Sequence, residues 1–127
     1  MEKLALISLT FDDGLRRQFE QAVPILDQYA LPATFFLIAN TLPFHERPEW
    51  RKIEWNANDI QLLKSMAQGG HEIGSHSVSH KSPTPSPDFD PKSEAEESKK
   101  LIEGWMDMEI PSSVTPSAGN PTLSRTQ

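Results

Sequence analysis

Two short, nearly continuous apolar runs lie in the first 40 residues and are typical of strands buried on both faces of a sheet. They are Leu4–Leu9 (LALISL) and Ala33–Ala39 (ATFFLIA). Each run is too short for a typical helix, and a more polar stretch separates them. The pattern therefore predicts two buried strands, and Glu72–Ser75 is at best a short third strand.

The segments between these runs carry apolar residues at helical spacing instead. In Gln18–Ala30, Pro24 lies inside the pattern and predicts a kink, or a helix that begins near the proline. A second helix is predicted to run to Gln68 with Asn58 or Asp59 as its N-cap. Both helices connect successive strands.

A third helix is predicted over Pro91–Glu103, with Asp90 as its N-cap and Gly104 as its end. The resulting order β-α-β-α-β-α is typical of an α/β fold with parallel strands and right-handed crossovers. In such sheets, chemistry collects at the carboxyl ends of the strands.

Proline content divides the chain into two parts. Seven of the eleven prolines lie between Pro83 and Pro121, and residues 111–127 contain only Val114 and Leu123 as large apolar side chains. So little apolar surface cannot offset the entropy lost on ordering. We therefore expect a domain over residues 1–110 and a loose Pro/Ser-rich tail over 111–127.

Charge and composition exclude several classes of function. The net charge is −6 with no run of more than two Lys or Arg residues, which argues against a nucleic-acid partner. No apolar run approaches the roughly 18 residues of a membrane span. Met1–Thr10 lacks the features of a secretory signal, so a cytoplasmic location is expected. Because cysteine is absent, a metal ion would need His, Asp or Glu ligands.

Two acidic residues, Asp12 and Asp13, lie in the motif Thr10–Gly14 (TFDDG), directly after the first predicted strand. Gly14 can adopt a positive φ and form a sharp turn that leaves both carboxylates at the sheet edge. A solvated Asp-Gly turn explains this motif equally well when it is taken alone.

His76 and His80 follow the third predicted strand at a spacing of four, which places two imidazoles on one face of a helical turn. Taken alone, this could be a polar loop. Together with one of the aspartates, the pair makes a 2-His-1-carboxylate set, and the second aspartate is left to accept a proton from a metal-bound water. A non-haem iron oxygenase shares this ligand set but needs no such base.

These motifs resemble those of the polysaccharide deacetylase family, also called the NodB-homology domain or carbohydrate esterase family four. The resemblance rests on TFDDG at 10–14, LPATFF at 31–36 and GHEIGSHSVSH at 70–80. It implies a partial, distorted (β/α) barrel of the deacetylase type. It also implies a metal-dependent hydrolase that removes acetyl groups from N-acetylated carbohydrate.

The resemblance also implies roles for individual residues. Asp12 matches the family's general base, while Asp13, His76 and His80 match its metal ligands. The ion is expected to be Zn²⁺, with other divalent transition metals as alternatives. The backbone N–H of Ser117 is a candidate oxyanion donor. His71 matches a position that is not a ligand, so we expect it to be packed or hydrogen-bonded.

The chain departs from the family pattern after residue 110. Around Pro116 no arginine matches the family's third motif, and the later motifs that carry the general-acid histidine are missing; His45 is not assigned that role. A truncated domain with exposed apolar faces is therefore expected, and with it self-association as a homo-oligomer. Two alternatives stay open: a non-catalytic metal-binding remnant, and a hydrolase of small amides or imides.

The tryptophans of Trp50–Trp55 (WRKIEW) allow two interpretations. Their aromatic faces could stack on a sugar ring, or they could anchor a loop by burying large side chains. The second interpretation is preferred because buried tryptophan often only contributes packing area.

Overall fold

The computed structural model describes residues 7–43, 46–81, 87 and 89–110. Its strands are β1 (Thr10–Asp13), β2 (Thr34–Leu37) and β3 (Glu72–Ser75), and its α-helices are α1 (Val23–Gln28), α2 (Ala57–Gln68) and α3 (Pro91–Met106). A π-helical turn, Gln18–Ala22, precedes α1, and a 3₁₀ turn, Pro48–Trp50, precedes α2.

The three strands form one parallel sheet in the order β1-β2-β3. Thr10 pairs with Thr34, and Thr34 pairs with Glu72, so the three strands start and end level with one another. This arrangement confirms the predicted α/β class with parallel strands. The described strands do not close a barrel.

The prediction for the first strand was wrong in its position. The predicted run was Leu4–Leu9, whereas β1 begins at Thr10 and includes both aspartates. Residues 1–6 lie outside the described part, and Ile7 is exposed. Apolar composition alone did not identify the paired residues, because pairing depends on the partner strand. Here β2 pairs with residues 10–13, and of the described residues 7–9 only Leu9 joins the ladder, its carbonyl accepting from the N–H of Thr34 at 2.9 Å.

The helices depart from the predictions mainly at their ends. α1 begins at Val23, next to Pro24, as one of the two alternatives predicted. Asn56 caps α2 by accepting from the N–H of Asp59, so neither predicted cap was correct. α3 continues through Gly104, which has open space around it, because the helix buries an apolar face as far as Met106. Packing thus outweighs the weak helix propensity of one glycine.

Phe35 on β2 lies at the centre of the core and is fully buried. Its ring packs against Phe11, Phe19 and His71 at centroid distances of 5.0, 5.6 and 5.7 Å. The core also takes in side chains from both long helices, among them Leu63 and Ile102. The sheet is therefore held rigidly beneath its carboxyl edge. No helix among the described residues is long and apolar enough to span a bilayer.

A partly buried ion pair connects the turn after β1 to the start of α2. The guanidinium of Arg16 donates to both carboxylate oxygens of Asp59 at 2.9 and 3.0 Å, and the N–H of Glu54 donates to Asp59 at 2.7 Å. Burial alone would raise the pKa of Asp59, but the hydrogen bonds from Arg16 and Glu54 outweigh it and lower the pKa below its usual value.

Asp59→Asn is expected to lower the free energy of unfolding by about 2 kcal/mol at pH 7, the size of a hydrogen bond to a charged group. Because the pKa of Asp59 is lower in the folded state, its contribution is complete above the unfolded value near ~3.9 and is lost as the pH falls through the folded value. Urea unfolding at pH 7 and pH 3 should therefore show a smaller difference in stability between the two proteins at pH 3 than at pH 7. Glu97→Gln, an exposed change on α3, is the control; an equal gap at both pH values would contradict the prediction.

Candidate metal centre

The carboxyl edge of the sheet brings the two predicted motifs together. Asp13 is the last residue of β1, and His76 directly follows β3. Asp13 has φ +80° and Gly14 has φ +71°, so the chain turns sharply as it leaves the strand. A Cβ at residue 14 would lie 2.9 Å from the buried side chain of Leu37. Glycine is therefore required there by both backbone conformation and space.

Asp13, His76 and His80 form a compact cluster at this edge. The Oδ1 atom of Asp13 lies 3.2 Å from Nε2 of His76 and 3.0 Å from Nε2 of His80. The two imidazole rings meet edge to face, with centroids 5.0 Å apart. His76 is buried, whereas about a quarter of the side-chain surface of Asp13 (22%) and His80 (28%) is exposed. The cluster is thus anchored on its buried side by His76 and open to solvent on the side of Asp13 and His80.

The segment carrying the two histidines is a loop, so the predicted helical turn was wrong. Ser77 and His80 both have positive φ values, +65° and +60°, which a helix does not allow. The backbone of β2 continues past its last paired residue and binds the loop, with the N–H groups of Ala39 and Asn40 donating to the carbonyls of Ser77 and Val78. Non-glycine residues with positive φ are costly and concentrate at functional sites.

The electrostatics of the cluster favour an ionised Asp13. Burial would raise the pKa of Asp13, but hydrogen bonding and Coulombic attraction to His76 and His80 outweigh this and hold the pKa far below its usual range. A carboxylate that stays ionised beside two imidazoles is the donor chemistry that divalent cations require.

The geometry of the cluster fits a divalent metal ion. Ligand atoms lie about 2.1 Å from a bound zinc ion. Two such atoms are roughly 3.0–3.4 Å apart when the angle between their bonds to the ion is between 90° and the tetrahedral angle. The two carboxylate–imidazole separations, 3.0 and 3.2 Å, fall in this range. One possible ligand atom from each of the three residues lies within 4.8 Å of the other two. Three protein ligands leave positions for water or substrate, as in catalytic sites.

The structure does not place Asp12 in this cluster. Its side chain is exposed, and its backbone carbonyl accepts from Nε2 of Gln18 at 2.7 Å. Asp12 is nevertheless adjacent to Asp13 at the same edge of the sheet. The other predicted participant, the backbone N–H of Ser117, lies outside the described residues, as do Pro116 and His45.

His71 lies at the opposite edge of the sheet and is hydrogen-bonded, which confirms that prediction. Its Nδ1 accepts from the N–H of Ala33 at 3.1 Å, so Nε2 carries the hydrogen and donates to Asp27 at 2.7 Å. The ring is buried against Phe35. His71 therefore stabilises the approach to β3 rather than the metal cluster.

The two tryptophans of the connecting loop differ in their surroundings. Trp55 is buried, stacks on Trp105 with centroids 4.7 Å apart, and donates from its indole N–H to the carbonyl of Ile38 at 2.9 Å. Trp55 is thus a loop anchor, as preferred from the sequence. Trp50 is partly exposed, with the guanidinium of Arg17 4.8 Å from its ring centroid. Sugar stacking on Trp50 stays a prediction.

Sequence reasoning missed the contact between Glu94 and the histidine loop. From the sequence, the simplest interpretation of the acidic run Glu94–Glu97 is a solvated first turn of a helix, where negative charge interacts favourably with the helix dipole. In the structure Glu94 accepts a hydrogen bond from the N–H of Ser79 at 2.5 Å. No sequence signal identifies this pair, because the two residues are 15 positions apart and belong to different elements.

Comparisons of the sequence and of the structure with known proteins agree on one family. The profile of the polysaccharide deacetylase family matches residues 3–126. The peptidoglycan-N-acetylglucosamine deacetylase of Bacillus cereus is 30% identical over 102 residues, which are 80% of this chain and 41% of the relative.

Two solved structures extend this comparison. A Streptococcus pyogenes deacetylase in complex with acetate has 25% identity and a TM-score of 0.64, over 81% of this chain and 42% of its own. A family 4 acetyl xylan esterase from Clostridium thermocellum in complex with a cobalt ion has 26% identity and a TM-score of 0.58, over 81% of this chain and 44% of its own. The chain thus spans less than half the length of these three proteins.

Proposed function

Because the chain belongs to the polysaccharide deacetylase family, we propose that it is a metal-dependent hydrolase that removes acetyl groups from N-acetylated carbohydrate. The observation that carries the proposal is the convergence of Asp13, His76 and His80 at the carboxyl edge of the sheet. Their ligand types match the set predicted from the sequence, and the opening on one side leaves room for substrate.

In the proposed mechanism, Asp13, His76 and His80 hold the ion through one carboxylate oxygen and two Nε2 atoms. When bound, a divalent ion supplies an acidified water and polarises the acyl oxygen. We propose Zn²⁺, because imidazole and carboxylate donors with open positions suit it. The cobalt ion in the esterase relative supports a divalent transition metal in general.

Asp12 is proposed as the general base. Its carboxylate is exposed to solvent, and the backbone of β1 holds it one residue from the ligand Asp13. A water molecule attacking the acetyl carbonyl must lose a proton, and a carboxylate at the same edge can accept it. Division of ligand and base between two adjacent aspartates follows from their environments, since Asp13 is paired with both imidazoles whereas Asp12 is exposed to solvent.

The names of the relatives support an acetylated sugar as the substrate. The Bacillus cereus relative is described as acting on peptidoglycan N-acetylglucosamine, and the Streptococcus pyogenes deacetylase holds acetate, the product expected of such a reaction. By extension, we propose N-acetylglucosamine units as the substrate class of this chain.

The proposal is tested by measuring acetate release from N-acetylglucosamine oligomers with the purified chain loaded with Zn²⁺ or Co²⁺. We expect release in the presence of metal, loss of release after chelation, and recovery when metal is returned. His71→Asn serves as a histidine control away from the cluster. Metal binding without acetate release from any acetylated sugar would favour the non-catalytic alternative, and release from small amides alone would favour the amide hydrolase.

A further inference from the structure

The loop between the two histidine ligands has an unusual backbone that needs external support. Ser77 and His80 both occupy the left-handed region, at φ +65° and +60°. Neither residue is glycine, so each conformation costs free energy and persists only where surrounding contacts impose it. The position of the His80 imidazole, and thus of one metal ligand, depends on these contacts.

The first half of the loop is held by backbone hydrogen bonds from β2 and the residues after it. The N–H of His76 donates to the carbonyl of Leu37 at 2.8 Å, and the N–H groups of Ala39 and Asn40 donate to Ser77 and Val78 at 3.0 and 2.9 Å. This ladder stops at Val78. His80 is connected to it through its own N–H, which donates to the hydroxyl of Ser77 at 2.9 Å.

Ser79, the residue between the ladder and His80, is held from the other side by α3. Both its N–H, at 2.5 Å, and its hydroxyl donate to the same oxygen, Oε1 of Glu94. Hydrogen bonds to an ionised carboxylate are among the stronger ones. The carboxylate therefore fixes both the backbone and the side chain of Ser79.

Glu94 lies on a rigid support. It belongs to the first turn of α3, where the side chain of Asp90 caps the helix by accepting from the N–H of Lys92 at 3.1 Å. The same helix is anchored by the buried residues Ile102 and Met106. A side chain on a packed helix positions its partner more accurately than one on a loop.

We propose that Glu94 is a positioning residue of the metal site: through Ser79, it holds the loop in the conformation that directs Nε2 of His80 at Asp13. This inference rests on the proposed function. Groups that orient metal ligands from outside typically change metal affinity by about 10- to 100-fold when they are removed. Glu94 acts in that way on the His80 side of the site, where the backbone ladder no longer reaches.

The test measures Co²⁺ affinity and the visible absorption spectrum of the Co²⁺-loaded chain. Glu94→Ala is expected to weaken Co²⁺ binding about 10- to 100-fold and to alter the spectrum. Ser79→Ala keeps the backbone N–H bond to Glu94 and is expected to show a smaller loss in the same direction. The double variant should lose no more than Glu94→Ala alone, because Glu94→Ala already removes both hydrogen bonds to Ser79, including the hydroxyl bond that Ser79→Ala removes. Glu94→Gln keeps the acceptor oxygen and should recover part of the affinity. Glu97→Ala, an exposed change on the same helix, should leave affinity and spectrum unchanged.

The outcomes separate this inference from the proposed function. Tight Co²⁺ binding by the unmodified chain with unchanged affinity and spectrum in a folded Glu94→Ala variant would overturn the role of Glu94 alone. Failure of the unmodified chain to bind Co²⁺ would overturn the metal site and the role of Glu94 with it. Ser79→Ala is the deciding variant if Glu94→Ala unfolds, since it removes only one hydroxyl. Circular dichroism of each metal-free variant establishes whether it is folded.

Discussion

Replacing Asp13 with alanine is expected to weaken binding of Zn²⁺ or Co²⁺ by about 100- to 1,000-fold. Binding free energies of about 10–16 kcal/mol for four-ligand zinc sites imply roughly 2.5–4 kcal/mol per ligand, which corresponds to about this range of affinity. Asp13 contributes more than one bond, because it is the single negative charge among the three ligands and lies 3.0–3.2 Å from both imidazoles. Isothermal titration with each metal at fixed pH measures the effect.

Asp27→Ala is the matched control for this variant. Asp27 is also a carboxylate in contact with a histidine, 2.7 Å from Nε2 of His71, but it lies at the opposite edge of the sheet. Its removal should leave metal affinity unchanged. His76→Ala should reproduce the loss seen for Asp13→Ala. Equal affinities of the Asp13→Ala and Asp27→Ala variants would show that the ion, if bound, is held elsewhere.

The central strand was predictable from the sequence because a parallel strand that is buried on both faces is a nearly continuous apolar run. The run around Phe35 and Phe36 is apolar on both faces, and β2 lies within it. The position of β1 was not predictable in the same way. Three of its four residues, Thr10 to Asp13, are polar, and they are paired because β2 lies alongside them; pairing over such a sequence distance leaves no local signal.

The site was predictable in its residue types but not in its backbone. The spacing of His76 and His80 brought two imidazoles together as expected, yet through a loop with two left-handed residues instead of a helical turn. Spacing limits how far apart two side chains can lie, and several backbone conformations satisfy the same limit. The choice among them is made by tertiary contacts, here from Asn40 and Glu94, which no pattern within the loop reveals.

Asp12→Asn is expected to lower the rate of acetate release by about 100- to 10,000-fold, the range typical of a lost general base. The amide has nearly the same shape as the carboxylate but does not accept a proton at neutral pH. Because the Asp12 side chain is exposed and Asp13 is the aspartate paired with both imidazoles, Co²⁺ affinity should change by less than about threefold, a difference under 1 kcal/mol.

This separation of turnover from binding distinguishes the two adjacent aspartates. Asp13→Asn should lose both metal and activity, whereas Asp12→Asn should keep the metal and lose activity. Parallel measurement of Co²⁺ titrations and acetate release on the two variants gives the comparison, with Asp27→Asn as a control that should retain both. If Asp12→Asn instead released its metal, Asp12 would be a ligand. If it kept full activity, another group would have to accept the proton, and the division of roles between the two carboxylates would be wrong.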